Sequence, residues 1–265
     1  MSVEPIPITD IPLPDRFPLR SDVEGKSVVV TGAGRGLGRL LAVAFARSGA
    51  TVGLVSRNEE QLTELARSLP GEHFVFAGDV RDAAFNMKVC ETMDRDCGGL
   101  DVFIANAGVS PVLTKVEKMS PETWDSIIST NLTGAFLGAR AAATAMRREG
   151  RIILTSSVIG QRSMVGLGAY AASKAGMDAL VRTMALELGP RAITVNAVAP
   201  GWFDSPLSAG FRGNDELEES ILSHSALGRW GRAEDLPGIF LFLASESAQF
   251  ITGTVIPVDG GYLLQ

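Results

Sequence analysis

The stretch SVVVTGAGRGLG, residues Ser27 to Gly38, decides the fold. Its β-branched run over 27–31 reads as a short strand. A glycine-rich turn follows, and then an apolar-periodic helix over 37–48 that Gly49 stops. Glycines let the backbone come close to a pyrophosphate, and the helix start supplies N–H groups and partial positive charge. The strict GxGxxG spacing does not fit, because Leu37 stands where the last glycine belongs. The spacing that fits is TGxxxGxG, with Gly32, Gly36 and Gly38 in place and Arg35 in the turn. Such a turn also serves as a plain strand–helix connection, but in a first βαβ unit it reads as a dinucleotide site.

The alternation continues outward from there. Further strands are expected at 51–55, 74–77, 100–104, 151–154, 193–197 and 254–258, and helices at 59–68, 83–96, 169–188 and 236–244. Ser120, Pro121 and Glu122 suit the start of a long helix reaching about Arg148. Strands alternating with helices imply one α/β domain over 25–265. Its core is a Rossmann-type, doubly wound parallel sheet of about seven strands with helices on both faces. Residues 1–24 carry prolines at 5, 7, 12, 14 and 18 and read as an arm outside that domain. A substrate lid is expected near 203–227.

The 265 residues, 46% hydrophobic and 20% charged, suit a soluble globular chain with a sizeable core. A net charge of -6 argues against nucleic acid, which needs a basic surface. No stretch approaches a membrane span, and the N-terminus lacks the pattern of a secretion signal, so a cytoplasmic protein is expected. Cys90 and Cys97 have neither redox nor zinc spacing and read as reduced thiols; no metal site is expected.

The end of the second strand bears on cofactor choice. NAD readers usually place a carboxylate there for the ribose hydroxyls. Here Ser56 holds that place and Arg57 follows, so nothing repels a 2′-phosphate and a guanidinium is available to pair with one, Arg35 being a second candidate. Both arginines also read as ordinary solvated charges. NADP(H) is the expected cofactor, with NAD(H) as the alternative. Further along, Tyr170 and Lys174 lie four apart on one helix face. An ammonium beside a phenol favours the phenolate and brings its pKa toward the working range, which makes Tyr170 a candidate general acid.

In order along the chain stand TGAGRGLG at 31–38, Asp79-Val80, Asn106-Ala107-Gly108, Asn131, Ser157, Tyr170-x-x-x-Lys174 and Pro200-Gly201. Over residues 24–262 this set resembles the short-chain dehydrogenase/reductase family. The resemblance implies hydride transfer between a nicotinamide and a carbonyl or secondary alcohol. Tyr170 would be the general acid or base, Ser157 would hold the substrate oxygen (Ser156 being the runner-up), and Lys174 would lower the tyrosine pKa and hold the nicotinamide ribose. Asn131 would hold a relay water. Asp79 and Val80 would contact adenine, Asn106 and Gly108 the adenosine side. The Pro200-Gly201 turn with Phe203 and Ser205 would fix the carboxamide end. Singly, each also reads as a cap, a turn or a strand end.

The substrate side is less defined. Val109, Ser110 and Pro111 are expected on one wall and residues 158–169 on another, with Trp202 and the lid above. Gln161 and Arg162 are candidate contacts for a polar or acidic substrate. The run Ala226 to Leu236 resembles gluconate 5-dehydrogenase-like members of the family, and 3-oxoacyl-acyl-carrier-protein reductase-like members carry nearly the same run. Small residues on the helices at 121–148 and 170–188 suit close approach of two subunits, and the resemblance implies a homotetramer or homodimer. The alternatives are an NAD-linked polyol or sugar-acid dehydrogenase and a non-catalytic NADP-binding sensor or assembly protein.

Overall fold

The computed structural model describes residues 23–110, 113–147, 149–204, 207–208, 211 and 215–264. Of the arm expected at 1–24, residues 1–22 lie outside the described residues, as do Pro111, Arg148, Ser205 and part of the expected lid.

The strands are β1 (Ser27–Thr31), β2 (Thr51–Ser56), β3 (Phe74–Ala77), β4 (Val102–Ala105), β5 (Arg151–Thr155), β6 (Thr194–Pro200) and β7 (Val255–Val258). They form one seven-stranded sheet in the order β3-β2-β1-β4-β5-β6-β7. Every pairing is parallel. Successive side chains on a strand point to opposite faces, and β1 shows the consequence. Val28 and Val30 enter one core with Leu41, Phe45, Leu62 and Phe240, while Val29 enters the other with Met93, Phe103, Ala139 and Met177. The first core lies under α1 (Gly36–Arg47), α2 (Glu59–Ser68) and α8 (Pro237–Ala244), and the second under α3 (Ala83–Asp96), α5 (Gly134–Ala145) and α6 (Gly168–Leu188). Two shorter helices, α4 (Pro121–Ile128) and α7 (Asp215–His224), complete the set among the described residues.

The expected elements all appear, with ends shifted by a few residues, and one expectation is corrected. The helix over 121–148 is not continuous. Ser120 caps α4 with Pro121 at its first position, but residues Ser129–Thr133 form a π-helical turn before α5 begins. α5 stops at Ala145, where Met146 turns extended. Arg191 ends it by donating to the carbonyls of Ala143, at 2.7 Å, and Met146.

The connection from β3 to β4 crosses back past β1, so neighbouring β1 and β4 leave the sheet toward opposite sides. A crevice opens at such a switch point, beyond the carboxyl ends of the strands. No helix among the described residues is long and apolar enough to cross a membrane. Cys90 is buried, and burial pushes its thiol up to about 12, which keeps it unreactive.

Candidate active site

The crevice is built first by Thr31 at the end of β1. Its hydroxyl accepts from the backbone N–H groups of Asn106 (2.9 Å) and Ala107 (3.0 Å) and donates to the Ile104 carbonyl (3.3 Å). The Asn106 amide donates back to the Thr31 carbonyl at 3.0 Å. One threonine thus fixes the ends of β1 and β4 together. Gly32 and Gly36 have positive φ, of 72° and 57°. A side chain at Gly38 would place its Cβ 2.2 Å from the Gly32 carbonyl oxygen. A side chain at Gly32 would place its own 2.9 Å from the Ala107 Cα. Arg35 is extended at the head of α1 and offers no side-chain cap. The first turn of α1 therefore has no side chain covering its N–H groups.

Ser56 ends β2 beneath this turn, and a Cβ on Gly34 would lie 3.0 Å from its hydroxyl. Arg57 is exposed and near enough to Asp79 to hold its carboxyl below the usual range. The larger cause is Arg81, which sequence reasoning passed over: it grips Asp79 through both carboxylate oxygens, at 2.6 to 3.0 Å. Val80 is buried against the start of α5, 2.9 Å from where a Gly134 Cβ would stand. Beside it, Gly108 lies against the Asn131 side chain.

Ser157 follows β5, and Tyr170 and Lys174 face it from α6. The Ser157 hydroxyl accepts from the Ile159 N–H at 3.2 Å and lies near enough to the Tyr170 phenol to lower its pKa. Its neighbour Ser156 turns the other way and donates to Asp178 at 2.5 Å, so the choice between the two serines falls to Ser157. Lys174 is buried, donates to the Thr155 carbonyl at 2.6 Å, and lies 5.6 Å from the centre of the Tyr170 ring. Asn131 is fully buried in the π-helical turn. Its amide accepts from the Val109 N–H (2.7 Å) and donates to the Val109 carbonyl (2.9 Å) and to Ser173 (3.2 Å). Ser173 in turn donates to the Tyr170 carbonyl at 2.7 Å. The Asn131 side chain is thereby spent on holding Val109 and Ser173.

Burial pushes the Tyr170 phenol above its ordinary value, and the nearby Ser157 hydroxyl opposes that rise. Burial also brings the Lys174 ammonium down from 10.5 to about 8, with Asp178 opposing. The spacing does place the pair together. In the chain by itself, however, removal from water dominates both groups.

On the substrate side, Phe203 is buried in the first core with its ring against Gly231, whereas Trp202 joins a third cluster with Phe211, Trp230 and Tyr262, and the two line one hollow together with Leu227 and Asp259. Gly201 is pressed on Asp259, a Cβ there falling 2.7 Å from the Asp259 Cα. Gln161 is exposed. Arg162 donates to the Tyr262 carbonyl at 3.3 Å and lies 5.3 Å over the Tyr262 ring, so it braces the wall.

A glycine cradle at a β1/β4 switch point, facing a serine, tyrosine and lysine in contact, is the arrangement against which other proteins can be compared. Residues 32–263 match a family model described as enoyl-(acyl carrier protein) reductase. A 3-oxoacyl-[acyl-carrier-protein] reductase of Thermotoga maritima is 37% identical over 247 residues, 91% of this chain and 99% of that one. The chain belongs to the short-chain dehydrogenase/reductase family. Another member, the gluconate 5-dehydrogenase of Gluconobacter oxydans, is 34% identical over 94% of this chain and 97% of its own. A solved structure described as an NAD(P)-dependent gluconate 5-dehydrogenase from Beutenbergia cavernae, with NADP bound at low occupancy, superposes with a TM-score of 0.85. It is 34% identical and covers 92% of this chain and 99% of that one.

Short-chain dehydrogenases/reductases are oxidoreductases. Here the glycine turn packs on Asn106, Gly108 on Asn131, and Asn131 through Ser173 on Tyr170, with Ser157 and Lys174 beside the tyrosine. Ser205 lies outside the described residues. Sequence reasoning missed Arg81, Tyr262, Phe211 and Trp230. The spacing of Arg81 two residues after Asp79 was the only local signal among them.

Proposed function

We propose that this chain transfers a hydride between NADP(H) and a carbonyl or secondary alcohol, with Tyr170 as the proton donor in reduction. The observation that carries the reading is that Ser157 and Lys174 both lie beside the Tyr170 side chain, next to the glycine cradle. The cradle suits a pyrophosphate because a Cβ at Gly32 or Gly38 would strike Ala107, Asn106 or the Gly32 carbonyl, so glycines let the turn close tightly under the uncapped N–H groups of α1. NADPH, when bound, supplies the hydride. Gly32, Arg35, Gly36, Leu37 and Gly38 would hold its pyrophosphate, and Ser56 and Arg57 its 2′-phosphate. Asp79, Val80, Asn106 and Gly108 would lie along the adenosine, Tyr170 and Lys174 at the nicotinamide ribose, and Pro200, Gly201, Phe203 and Ser205 at the carboxamide. Arg81 pairs with Asp79 beside Arg57, so that carboxylate does not repel a phosphate there.

The chain's own residues then do the following. Ser157 donates to the substrate oxygen as negative charge grows on it. Tyr170 gives that oxygen its phenolic proton, and the alcohol leaves. Lys174 and Asn131 return a proton from solvent. The NADP bound to the Beutenbergia protein supports the cofactor choice. We propose as well that the outer faces of α5 and α6, where Leu132, Phe136 and Leu180 line a hollow of about 410 Å³, pair two copies of the chain toward a dimer or tetramer.

The test is a titration with NADPH and NADH, followed by turnover assays. NADPH should bind more tightly, and Arg57→Glu should remove that preference. Tyr170→Phe should bind NADPH as the parent does and lose at least about a hundredfold in turnover. Equal loss of both cofactors in Arg57→Glu, or retained turnover in Tyr170→Phe, would overturn the reading.

A further inference from the structure

The wall against which the Tyr170 ring packs is apolar and largely aromatic. The cluster there comprises Val158, Ile159, Leu167, Phe211, Trp230 and Tyr262, with Met164, Trp202 and Tyr170 itself packed on it. Trp202 is its centre. Its ring meets Phe211 edge-on at 4.8 Å, Trp230 at 5.8 Å and Tyr262 at 6.3 Å. The rim is apolar too: Leu113, Val116, Val165 and Leu227 are all exposed large hydrophobic residues. The loop carrying Leu113 and Val116 packs on the segment just before Tyr170, at Gly166 and Gly168.

The charged groups of this wall are already occupied. Arg162 is held by the Tyr262 carbonyl and ring. Arg229 is paired with Asp235 at 2.6 Å and donates to the Trp230 carbonyl. Asp259 accepts from the N–H groups of Gly261 and Leu263. His224 bonds to the Ser220 carbonyl at 2.6 Å and its ring lies 5.9 Å from that of Tyr262. A sugar acid or polyol seated here would have to break these pairs or leave its own polar groups unmatched, each at a substantial cost. An apolar substituent has neither problem, since aromatic side chains offer it large rigid area.

We propose that the substrate is a ketone, or the matching secondary alcohol, carrying an aromatic or alkyl group that lies on Trp202. This rests on the reading above. In reduction, the carbonyl carbon gains the hydride of NADPH, the oxygen gains the Tyr170 proton, and NADP⁺ and a secondary alcohol leave. Exposed Gln161 is the polar group left at the edge, so a second polar function on the substrate belongs at the far end from the apolar one.

The experiment follows NADPH oxidation by the purified chain with three probes: a phenyl alkyl ketone, a straight-chain 3-oxoacyl thioester and a keto-gluconate. Either of the first two should exceed the keto-gluconate in kcat/KM by about tenfold or more. Trp202→Ala should raise KM about tenfold for the apolar probe and not for the keto-gluconate, and Trp202→Phe, which keeps a ring, should recover much of the loss. Preference for the keto-gluconate, or equal effects of Trp202→Ala on both classes, overturns this inference and leaves the oxidoreductase reading standing. NADPH binding without turnover of any carbonyl overturns that reading, and this inference with it.

Discussion

Two adjacent serines at the end of β5 separate structure from chemistry. Ser157 faces Tyr170, and Ser156 faces Asp178. Ser157→Ala should therefore lower turnover about a hundredfold or more with little change in melting temperature. Ser156→Ala leaves a buried carboxyl without its donor and should cost about 1–3 kcal/mol in a denaturant melt while turnover per folded molecule persists. The reverse pattern would exchange their roles. Lys174 gives a second, pH-dependent expectation. Its folded value near 8 lies below the ordinary 10.5, so between those values the unfolded chain holds a proton the folded chain has released. Stability should rise with pH across that window, by an amount on the order of 3 kcal/mol, and Lys174→Met should flatten the rise. Tyrosine and lysine could be read from their spacing because four residues on a helix is a local relation. Their burial was not legible, since Lys174 is closed in against Thr155 of β5 and Tyr170 packs in a cluster drawn from several elements.

At the scale of elements, the glycine turn was legible because each glycine answers to a neighbour fixed by the strand–turn–helix geometry. Gly38→Ala would drive a Cβ into the Gly32 carbonyl. It should lower the melting temperature, at a cost of about 1–3 kcal/mol, and weaken NADPH binding; unchanged binding would remove the cradle from the argument. The strands were legible from their β-branched runs, and their parallel order from the helices between them. Sequence alone did not show the π-helical turn at Ser129–Thr133, because Thr133 and Gly134 read as continuing helix. What holds the turn is the Asn131 amide on Val109, a contact across 22 positions. The aromatic wall was hidden for the same reason: Arg162 and Tyr262 meet across 100 positions, and no periodicity reports that.

For the whole molecule, the all-parallel sheet brings the ends of β1, β2, β4, β5 and β6 to one edge, and with them the glycine turn, Ser56, Asn106, Ser157 and Pro200. Phe136 is 41% exposed on the outer face of α5, and its apolar surroundings suit a second copy of the chain. Light scattering should find a dimer or larger, and Phe136→Arg should shift the population toward monomer with the cofactor site still able to bind NADPH. A monomeric parent chain would sink the assembly expectation. The π-helical turn reaches this scale as well. Because the π turn takes up one residue more than the α-helix it replaces, removing one residue from Ser129–Thr133 would leave Ala135, Ala139 and Ala142 facing the sheet, and the loss would fall instead on the seat of Asn131 against Val109.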